Sequence, residues 1–432
     1  MSAAPDRRRG AGRSGSRRAP AKPAGKGSAR GGSAGRGGSA GRGGSAGRAG
    51  RNLQRPAEQT VLFWALSLLL GLGAVMVYSA SSVTAQRTSG NTWSVVARHS
   101  VYMAIGLALL FGASRIPIWV WRQRLTPILL VLSFAGLVLV AIPGMPLASE
   151  VNGANRWLRV GPLGFQPSEL AKLALVLWLA QFLVTNRDRI EEWSVLKRAA
   201  MVAAPLCGLV LVGDDLGTTL LLGVIFAVLW FLSGAPLRQL AAVGGAMLGV
   251  GLIAVTYLEG FRVQRVLAYL SPQDHADGAG YQTLQSQIGF ASGGLWGRGP
   301  GASKAKWGFL PEAHTDFILA VIGEELGLIG TIVIIGSLTA VVGAGIAIGL
   351  RTEDRFARLV AFGISTWLGV QALVNVGVAV GALPTKGIPL PFVSSGGTSM
   401  IVSLMAIGVL WSISRSGSSS SRMRAPRPAR AR

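Results

Sequence analysis

The chain has 432 residues, of which 50% are apolar and only 14% are charged, while its formal net charge is +24 at pH 7. A soluble protein usually carries about 25% charged residues, so this composition all but excludes a water-soluble enzyme and predicts an integral membrane protein. The one cysteine, Cys207, excludes a disulfide framework and a cysteine-based metal site.

The basic charge is concentrated at the two ends of the chain. Residues 1–55 carry 14 Lys and Arg against one acidic residue, Asp6, and residues 415–432 carry six Arg. The first segment is dominated by Gly, Ser, Ala, Arg and Pro, which cannot bury a core, so we predict a disordered basic tail. It is interpreted either as an arm at the lipid headgroups or as a dock for a cytoplasmic partner. Nucleic acid is disfavoured, because no aromatic residues interleave the arginines.

Ten apolar segments follow residue 56. They lie near 61–83, 96–114, 126–143, 168–185, 199–213, 216–233, 238–257, 317–349, 357–381 and 396–414. A helix that crosses a bilayer needs about 20 residues. We therefore predict an all-α polytopic membrane protein in which ten transmembrane helices occupy residues 56–414.

The distribution of Lys and Arg predicts the orientation of these helices. Ten spans place both termini on one side, and the two Arg-rich tails assign that side to the cytoplasm by the positive-inside rule. The outer connections are then 84–95, 144–167, the turn at Asp214-Asp215, 258–316 and 382–395. Because these connections hold most of the polar and aromatic loop residues, we expect the functional site at the outer face.

The longest outer loop, 258–316, lies between the seventh and eighth predicted helices and is too long for a plain connector. Near its end, Glu312, His314 and Asp316 form the densest cluster of titratable residues in the chain. Thr and Asp are favoured at helix starts, so one interpretation of Asp316 is a solvated helix cap. The other is a carboxylate that carries out chemistry at the membrane surface.

Two pairs of charged residues within the predicted spans are candidates for a functional role. Glu169 and Lys172 are three residues apart and share a helix face, so a structural ion pair and a catalytic pair both remain open. Glu324 and Glu325 lie inside the segment 317–349, where charges must face a polar cavity or a partner. All four lie towards the outer side of the membrane in the predicted topology.

The loop 144–167 contains Asn155-Arg156-Trp157. Trp157 has two interpretations, since aromatic residues are common anchors at membrane interfaces. In the functional interpretation, Arg156 binds a phosphate while Trp157 packs on a lipid or a sugar.

Two other outer elements carry candidate residues. Asp214 and Asp215 precede a predicted helix, and capping of its N-terminus explains one of them. The loop before the last helix is rich in Pro and Gly, with Lys386 as its charge and Ser395 among its small hydroxyl residues. Such a helix start predicts a nest for an anion. Together these residues fit a substrate with a lipid tail and an anionic head, and they fit a small soluble solute equally.

Four of these segments, in this order, resemble the SEDS family (shape, elongation, division and sporulation) over residues 56–414. They are Asn155-Arg156-Trp157 with Gln166 to Lys172, Asp215 to Thr218, Leu310 to Phe317 with Glu324-Glu325, and Gly387 to Thr398. Within the family, Pro384 to Gly387 and Ile322 to Glu325 are more similar to the division branch than to the elongation branch. Asp214 departs from the proline that many relatives have there.

The resemblance implies a peptidoglycan glycosyltransferase of cell division. Such proteins polymerise lipid II at the outer face of the bacterial plasma membrane, at the septum. They act with a class B penicillin-binding protein and other divisome proteins. The family's essential aspartate and its tryptophan correspond to Asp316 and Trp157. The alternatives are a lipid II flippase, a non-catalytic scaffold and an elongation-type enzyme.

Glycosyl transfer needs a base for the acceptor hydroxyl and stabilisation of the departing pyrophosphate. We hypothesise that Asp316 is the base. Arg156, Lys172 and Lys386 are the candidates to hold the pyrophosphate, alone or with a divalent cation such as Mg or Mn. The other residues assigned to substrate binding are Trp157, Glu169, Asp215, Glu312, His314 and Ser395. No resident metal site is predicted.

Overall fold

The computed structural model describes residues 57–423 with gaps at 143, 152–153, 162, 257–266, 272, 276–277 and 279. The tail predicted to be disordered, 1–55, therefore lies outside the described residues, as do 424–432. Helices dominate the described part of the chain. The helices are α1 Ala57–Ser89, α2 Ser94–Arg115, α3 Ile118–Ala141, α4 Pro167–Thr185, α5 Trp193–Val212, α6 Leu216–Leu232, α7 Leu237–Thr256, α8 Tyr281–Gly293, α9 Ile318–Arg351, α10 Arg355–Ala379 and α11 Thr398–Met423.

Nine helices of the described chain are long and apolar enough to cross a membrane, namely all of those above except α6 and α8. The tenth predicted span, α6, is apolar but has 17 residues, which is shorter than the usual length of about 20. The predicted multi-span helical architecture is confirmed, whereas length alone does not establish a count of ten.

A small β-sheet in the loop 144–167 adds to the helical architecture. Its strands are β1 Ala148–Val151, β2 Ala154–Val160 and β3 Leu163–Phe165, paired antiparallel in the order β1-β2-β3. Leu158 pairs with Ala148 on one side and with Phe165 on the other. Aromatic and β-branched residues in β2 favour this extended pairing, and Gly161, with φ +63°, turns the chain towards β3.

Burial within the bundle differs sharply from helix to helix. Most of α4, α10 and α11 is buried, while α7 is largely exposed on the outside of the bundle. Helix α4 is apolar nearly all round, which is the pattern of a helix surrounded by other helices. The predicted charges Glu169 and Lys172 therefore lie at the outer end of a central helix.

Helix α9 is broken at Gly327, whose φ of +68° and ψ of −164° are not helical. The segment after α8 enters this break: Arg298 N donates to Glu324 O at 2.9 Å and Leu328 N donates to Gly294 O at 2.9 Å. A bilayer offers no water to pair free backbone groups, so such a break requires these partners. The apolar segment predicted at 317–349 is thus two half-helices, with Asp316 before the first one.

Candidate functional site

Asp316 lies two residues before the start of α9, where two outer loops meet. One loop is the segment 310–317, and the other is the segment 382–397, called the 382–397 loop below. The Asp316 side chain is half-buried. A Cβ atom built on Gly387 would lie 3.3 Å from Asp316 Oδ2, so the glycine makes room for this carboxylate.

Asp316 precedes the N-cap residue of α9 by one position. The N-cap residue of α9 is Phe317, and it makes no side-chain cap hydrogen bond. Asp316 is held through its backbone: Asn375 Nδ2 donates to Asp316 O and to Ile388 O, both at 2.8 Å. One buried amide of α10 therefore ties the Asp316 backbone to the 382–397 loop.

Two serines of the 382–397 loop fix the residues before Asp316. Ser394 Oγ donates to Thr315 O at 2.5 Å, and Ser395 N donates to His314 O at 3.0 Å. Ser395 thus contributes its backbone amide to the site. These bonds bring the predicted residues of the two loops into one cluster.

Glu312 and His314 flank Asp316 on its own loop. Glu312 adopts a positive φ of 56°, and its Oε2 accepts a hydrogen bond from Thr315 Oγ1 at 2.7 Å. Burial lowers the pKa of the His314 imidazole below its ordinary value, while the Glu312 carboxylate partly offsets this by raising it. His314 is therefore neutral at pH 7 and does not add a positive charge beside Asp316.

The ammonium group of Lys172 is buried beneath the 382–397 loop. Its Nζ lies 2.8 Å from Glu169 Oε2, donates to Gln371 Oε1 at 2.9 Å and sits 5.0 Å from the centre of the Trp367 ring. Gln371 Nε2 in turn donates to Pro389 O at 2.9 Å. The Glu169–Lys172 pair is thus connected, through one amide, to the backbone of the 382–397 loop.

Arg156 and Asp215 organise the turn before α6. Arg156 Nε donates to Gly213 O at 2.7 Å and its Nη2 to Asp214 O at 2.8 Å. Asp215 is the N-cap of α6 and accepts a hydrogen bond from Thr218 N at 2.9 Å. Both side chains therefore have structural partners, and both line a pocket beside α3.

Trp157 lies in β2 and packs over β3, where a Cβ atom on Gly164 would lie 3.2 Å from its ring. The sheet is joined to the start of α11, because Thr398 Oγ1 donates to Gly164 O at 3.1 Å and accepts from Gln166 N at 3.0 Å. The 382–397 loop and the helix that follows it therefore link three groups of predicted site residues. These are the residues around Asp316, the Glu169–Lys172 pair, and the sheet that holds Trp157.

A second charged cluster lies deeper in α9. Glu324 accepts hydrogen bonds from Ser303 Oγ at 2.6 Å and from two backbone amides, and it lies 3.3 Å from Arg298 Nη1. Glu325 accepts from Ser79 Oγ at 2.6 Å and pairs with Lys306 Nζ at 3.3 Å. As predicted, these glutamates face partners rather than lipid.

Sequence reasoning missed the partners in both clusters. Asn375 and Gln371 are isolated amides within an apolar helix. Their position there was the one feature of the sequence that could have indicated a role for them. Arg298 and Lys306 lie in a long loop, and their pairing with glutamates 26 and 19 residues away depends on the tertiary fold. Within the described residues, no group of three or more His, Cys, Asp or Glu is placed to hold a metal ion.

The sequence model of the FtsW/RodA/SpoVE family, described as cell cycle proteins, matches residues 59–419. The chain belongs to this family. Three curated relatives named probable peptidoglycan glycosyltransferase FtsW cover most of this SEDS chain. The one from Idiomarina loihiensis is 40% identical over 86% of the chain and 91% of the relative. Those from Geobacter sulfurreducens and Coxiella burnetii are 41% and 39% identical over 83% and 79% of the chain, and over 95% and 92% of the relatives.

Solved structures show the same SEDS fold. A chain from a peptidoglycan synthase complex, solved in a study of how that complex coordinates polymerization and crosslinking, has a TM-score of 0.67. It is 29% identical, and the match covers 84% of this chain and 99% of that one. The rod shape determining protein RodA of Thermus thermophilus has a TM-score of 0.58 at 29% identity, over 82% of this chain and 95% of that one.

Proposed function

We propose that this SEDS protein is a peptidoglycan glycosyltransferase of the division type, which polymerises lipid II into glycan strands at the outer face of the bacterial plasma membrane. The observation that carries this proposal is the placement of Asp316. Its backbone is fixed by Asn375, while its half-buried carboxylate faces Gly387 at the junction of two outer loops. The names of the curated relatives support the activity and favour the division type over the elongation type.

Asp316 acts as the general base in this proposal. The acceptor hydroxyl gives its proton to the Asp316 carboxylate while its oxygen forms the new glycosidic bond to the sugar C1. The bond from C1 to the pyrophosphate oxygen breaks, and polyprenyl pyrophosphate leaves. A positioned base typically contributes about 100- to 10,000-fold to such a step.

Lys386 is the first candidate to stabilise the departing pyrophosphate, because it precedes the Gly387 that lies against Asp316. Arg156 and Lys172 have a different role in the proposal. They hold the turn before α6 and the 382–397 loop, respectively, through the contacts described above. A divalent cation bound together with the substrate's pyrophosphate would add charge neutralisation at the same place.

The proposed partner is a class B penicillin-binding protein that crosslinks the strands at the division septum. Support comes from the likeness to a chain of a complex that coordinates polymerization and crosslinking. The proposed orientation has both termini in the cytoplasm, because the loops at their end of the bundle carry most of the Arg residues.

A reconstituted assay tests the activity. The full chain, its penicillin-binding partner and lipid II are combined with a transpeptidase inhibitor, and glycan chains are resolved on a gel. Wild type should make chains, Asp316→Asn should make almost none, and the exposed control Asp274→Asn in the same outer loop should match wild type. Lipid II transport without chains would instead support a flippase, and neither chains nor transport would support a scaffold.

A further inference from the structure

A groove lies at the arginine-rich end of the bundle, far from the candidate site, where α1, α2 and α11 meet. About 730 Å³ of space, which includes the open surroundings, lies between its walls. Its walls are Gln59, Leu110, Phe111, Ser114, Arg115, Trp411 and Arg415. None of the proposed catalytic or substrate-binding residues lines it.

Close packing of α2 on α11 builds this groove. A Cβ atom on Gly106 would lie 2.6 Å from Leu404 Cδ1, and one on Gly408 would lie 2.7 Å from Ala113 Cβ, so both helices approach through glycines. The two helices are then in register at this end, and Arg415 Nη1 donates to Ser114 O at 3.4 Å. Arg415 is therefore placed beside the end of α2, whose last residue is Arg115.

One end of the groove is strongly positive. Arg115 and Arg415 are both exposed, and none of the described lining residues is a carboxylate. The neighbouring carboxylate on α1, Glu58, pairs with Arg351 instead. The macrodipole of α2 accounts for a cation at its C-terminus, but Arg415 lies eight residues before the end of α11, beyond the reach of that effect.

The walls below the two arginines are apolar and aromatic. Phe111 is 60% exposed, and Trp411 packs edge-on against Phe63 with ring centroids 6.4 Å apart. A positive head above an apolar wall at a membrane interface complements a phosphate attached to an acyl chain. The chain's own tail is a poor occupant, since residues 1–55 carry 14 basic residues and one acidic residue.

We propose that this groove binds an anionic phospholipid of the adjacent leaflet, with its phosphate between Arg115 and Arg415. Its acyl chain lies along Phe111 and Trp411. The positive-inside rule assigns this leaflet to the cytoplasm, where anionic lipids supply the ligand. The site is independent of the proposed glycosyl transfer, which takes place at the other face.

Photo-crosslinking tests the proposal. The full chain is reconstituted in phosphatidylcholine vesicles that contain a trace of one of two probes. Each probe carries a diazirine in its acyl chain and is either phosphatidylglycerol, which is anionic, or phosphatidylcholine. Mass spectrometry then locates the label on the protein. We expect stronger labelling of the segments around Phe111 and Trp411 with the anionic probe. Each arginine near an anionic lipid is worth about five-fold in binding, so Arg115→Gln/Arg415→Gln should lose most of the preference.

The control variant Arg187→Gln/Arg189→Gln removes the same charge from an exposed turn at the same end and should label like wild type. Arg115→Lys/Arg415→Lys keeps the charge and should retain part of the preference. Equal labelling of these segments by both probes in the wild type would overturn the proposal without reference to any variant. An unchanged preference in the folded Gln variant would overturn it as well.

Discussion

The segments at Asp316 and at Glu324-Glu325 place carboxylates eight residues apart, and these carboxylates differ sharply in burial. Around the two glutamates, the hydrogen bonds go to the carboxylate oxygens, and both side chains are almost fully buried. Around Asp316, side chains of α10 and of the 382–397 loop donate to backbone carbonyls, and the Asp316 side chain is only half-buried beside Gly387.

In the proposed mechanism, this difference separates structural carboxylates from the reactive one. A buried carboxylate surrounded by donors and a cation is stabilised as an anion and holds its neighbours in place. A half-buried carboxylate on a fixed backbone is positioned at the rim of a site, with part of its surface exposed. The comparison predicts stability losses at the glutamate cluster and activity losses at Asp316.

The largest stability effect is expected for Glu325→Gln. It leaves the buried Lys306 ammonium without its carboxylate, and breaking a buried pair in this way costs about 3–5 kcal/mol. Thermal unfolding in detergent measures the loss. The double variant Glu325→Gln/Lys306→Met should recover part of it, because the unpaired charge is removed as well. A Glu325→Gln protein as stable as wild type would break the comparison.

Gly327→Ala should destabilise the chain by about 1–3 kcal/mol. The positive φ of Gly327 is strained for alanine, and its Cβ atom would lie 2.4 Å from Gly297 N. The matched control is Gly336→Ala in the same helix, where a Cβ atom meets nothing within 4 Å. The same thermal unfolding measurement distinguishes the two, and equal melting temperatures would contradict the broken-helix account.

Asn375→Leu tests the positioning of Asp316, the other member of the comparison. It removes the hydrogen bonds to Asp316 O and to Ile388 O that tie the Asp316 backbone to the 382–397 loop, but it leaves the Asp316 carboxylate intact. A displacement of about 1 Å is enough to cost about 100-fold in rate, so glycan synthesis should fall by that order. Asn186→Ala, which removes a similar amide bond at the opposite end of the bundle, should remain active. Full activity of Asn375→Leu would argue against backbone positioning.

The smallest effect is expected for His314→Gln and concerns pH. The pKa of His314 is lower in the folded chain than its ordinary value of 6.5. Its contribution to stability is therefore fully present above pH 6.5 and is lost as the pH falls towards the folded pKa. As the pH falls into the mildly acidic range, the free energy of unfolding should therefore decrease more for wild type than for His314→Gln. The control variant is His275→Gln. Parallel pH profiles for all three proteins would contradict this.

Much of the helical fold was predictable, because an apolar segment long enough to cross the bilayer must satisfy its backbone hydrogen bonds internally, as a helix does. The Glu169–Lys172 pair followed from its spacing on one helix face, and it is present at 2.8 Å. Capping at the Asp214-Asp215 turn followed from the chemistry of helix starts, and Asp215 is the N-cap of α6.

Features that depend on distant partners were not predictable from the sequence. The break in α9 needs the backbone of residues 294–299, so Gly327 looks like any of the 60 glycines in the sequence. In the sheet at 148–165, β1 and β3 have four and three residues, which is too short for a clear alternation, and the seven residues of β2 do not alternate between apolar and polar. Asn375 acquires its role only because the fold brings Asp316 and Ile388 within reach of one amide.

The most direct measurement is the single-turnover rate of glycan bond formation from lipid II, with Asp316→Asn and Asp316→Glu compared at matched thermal stability. A carboxylate base predicts a fall of about 100- to 10,000-fold for the asparagine variant and partial activity for the glutamate variant. A wild-type rate for Asp316→Asn would contradict the account, because the carboxylate at the junction of the two loops would then have no part in the chemistry.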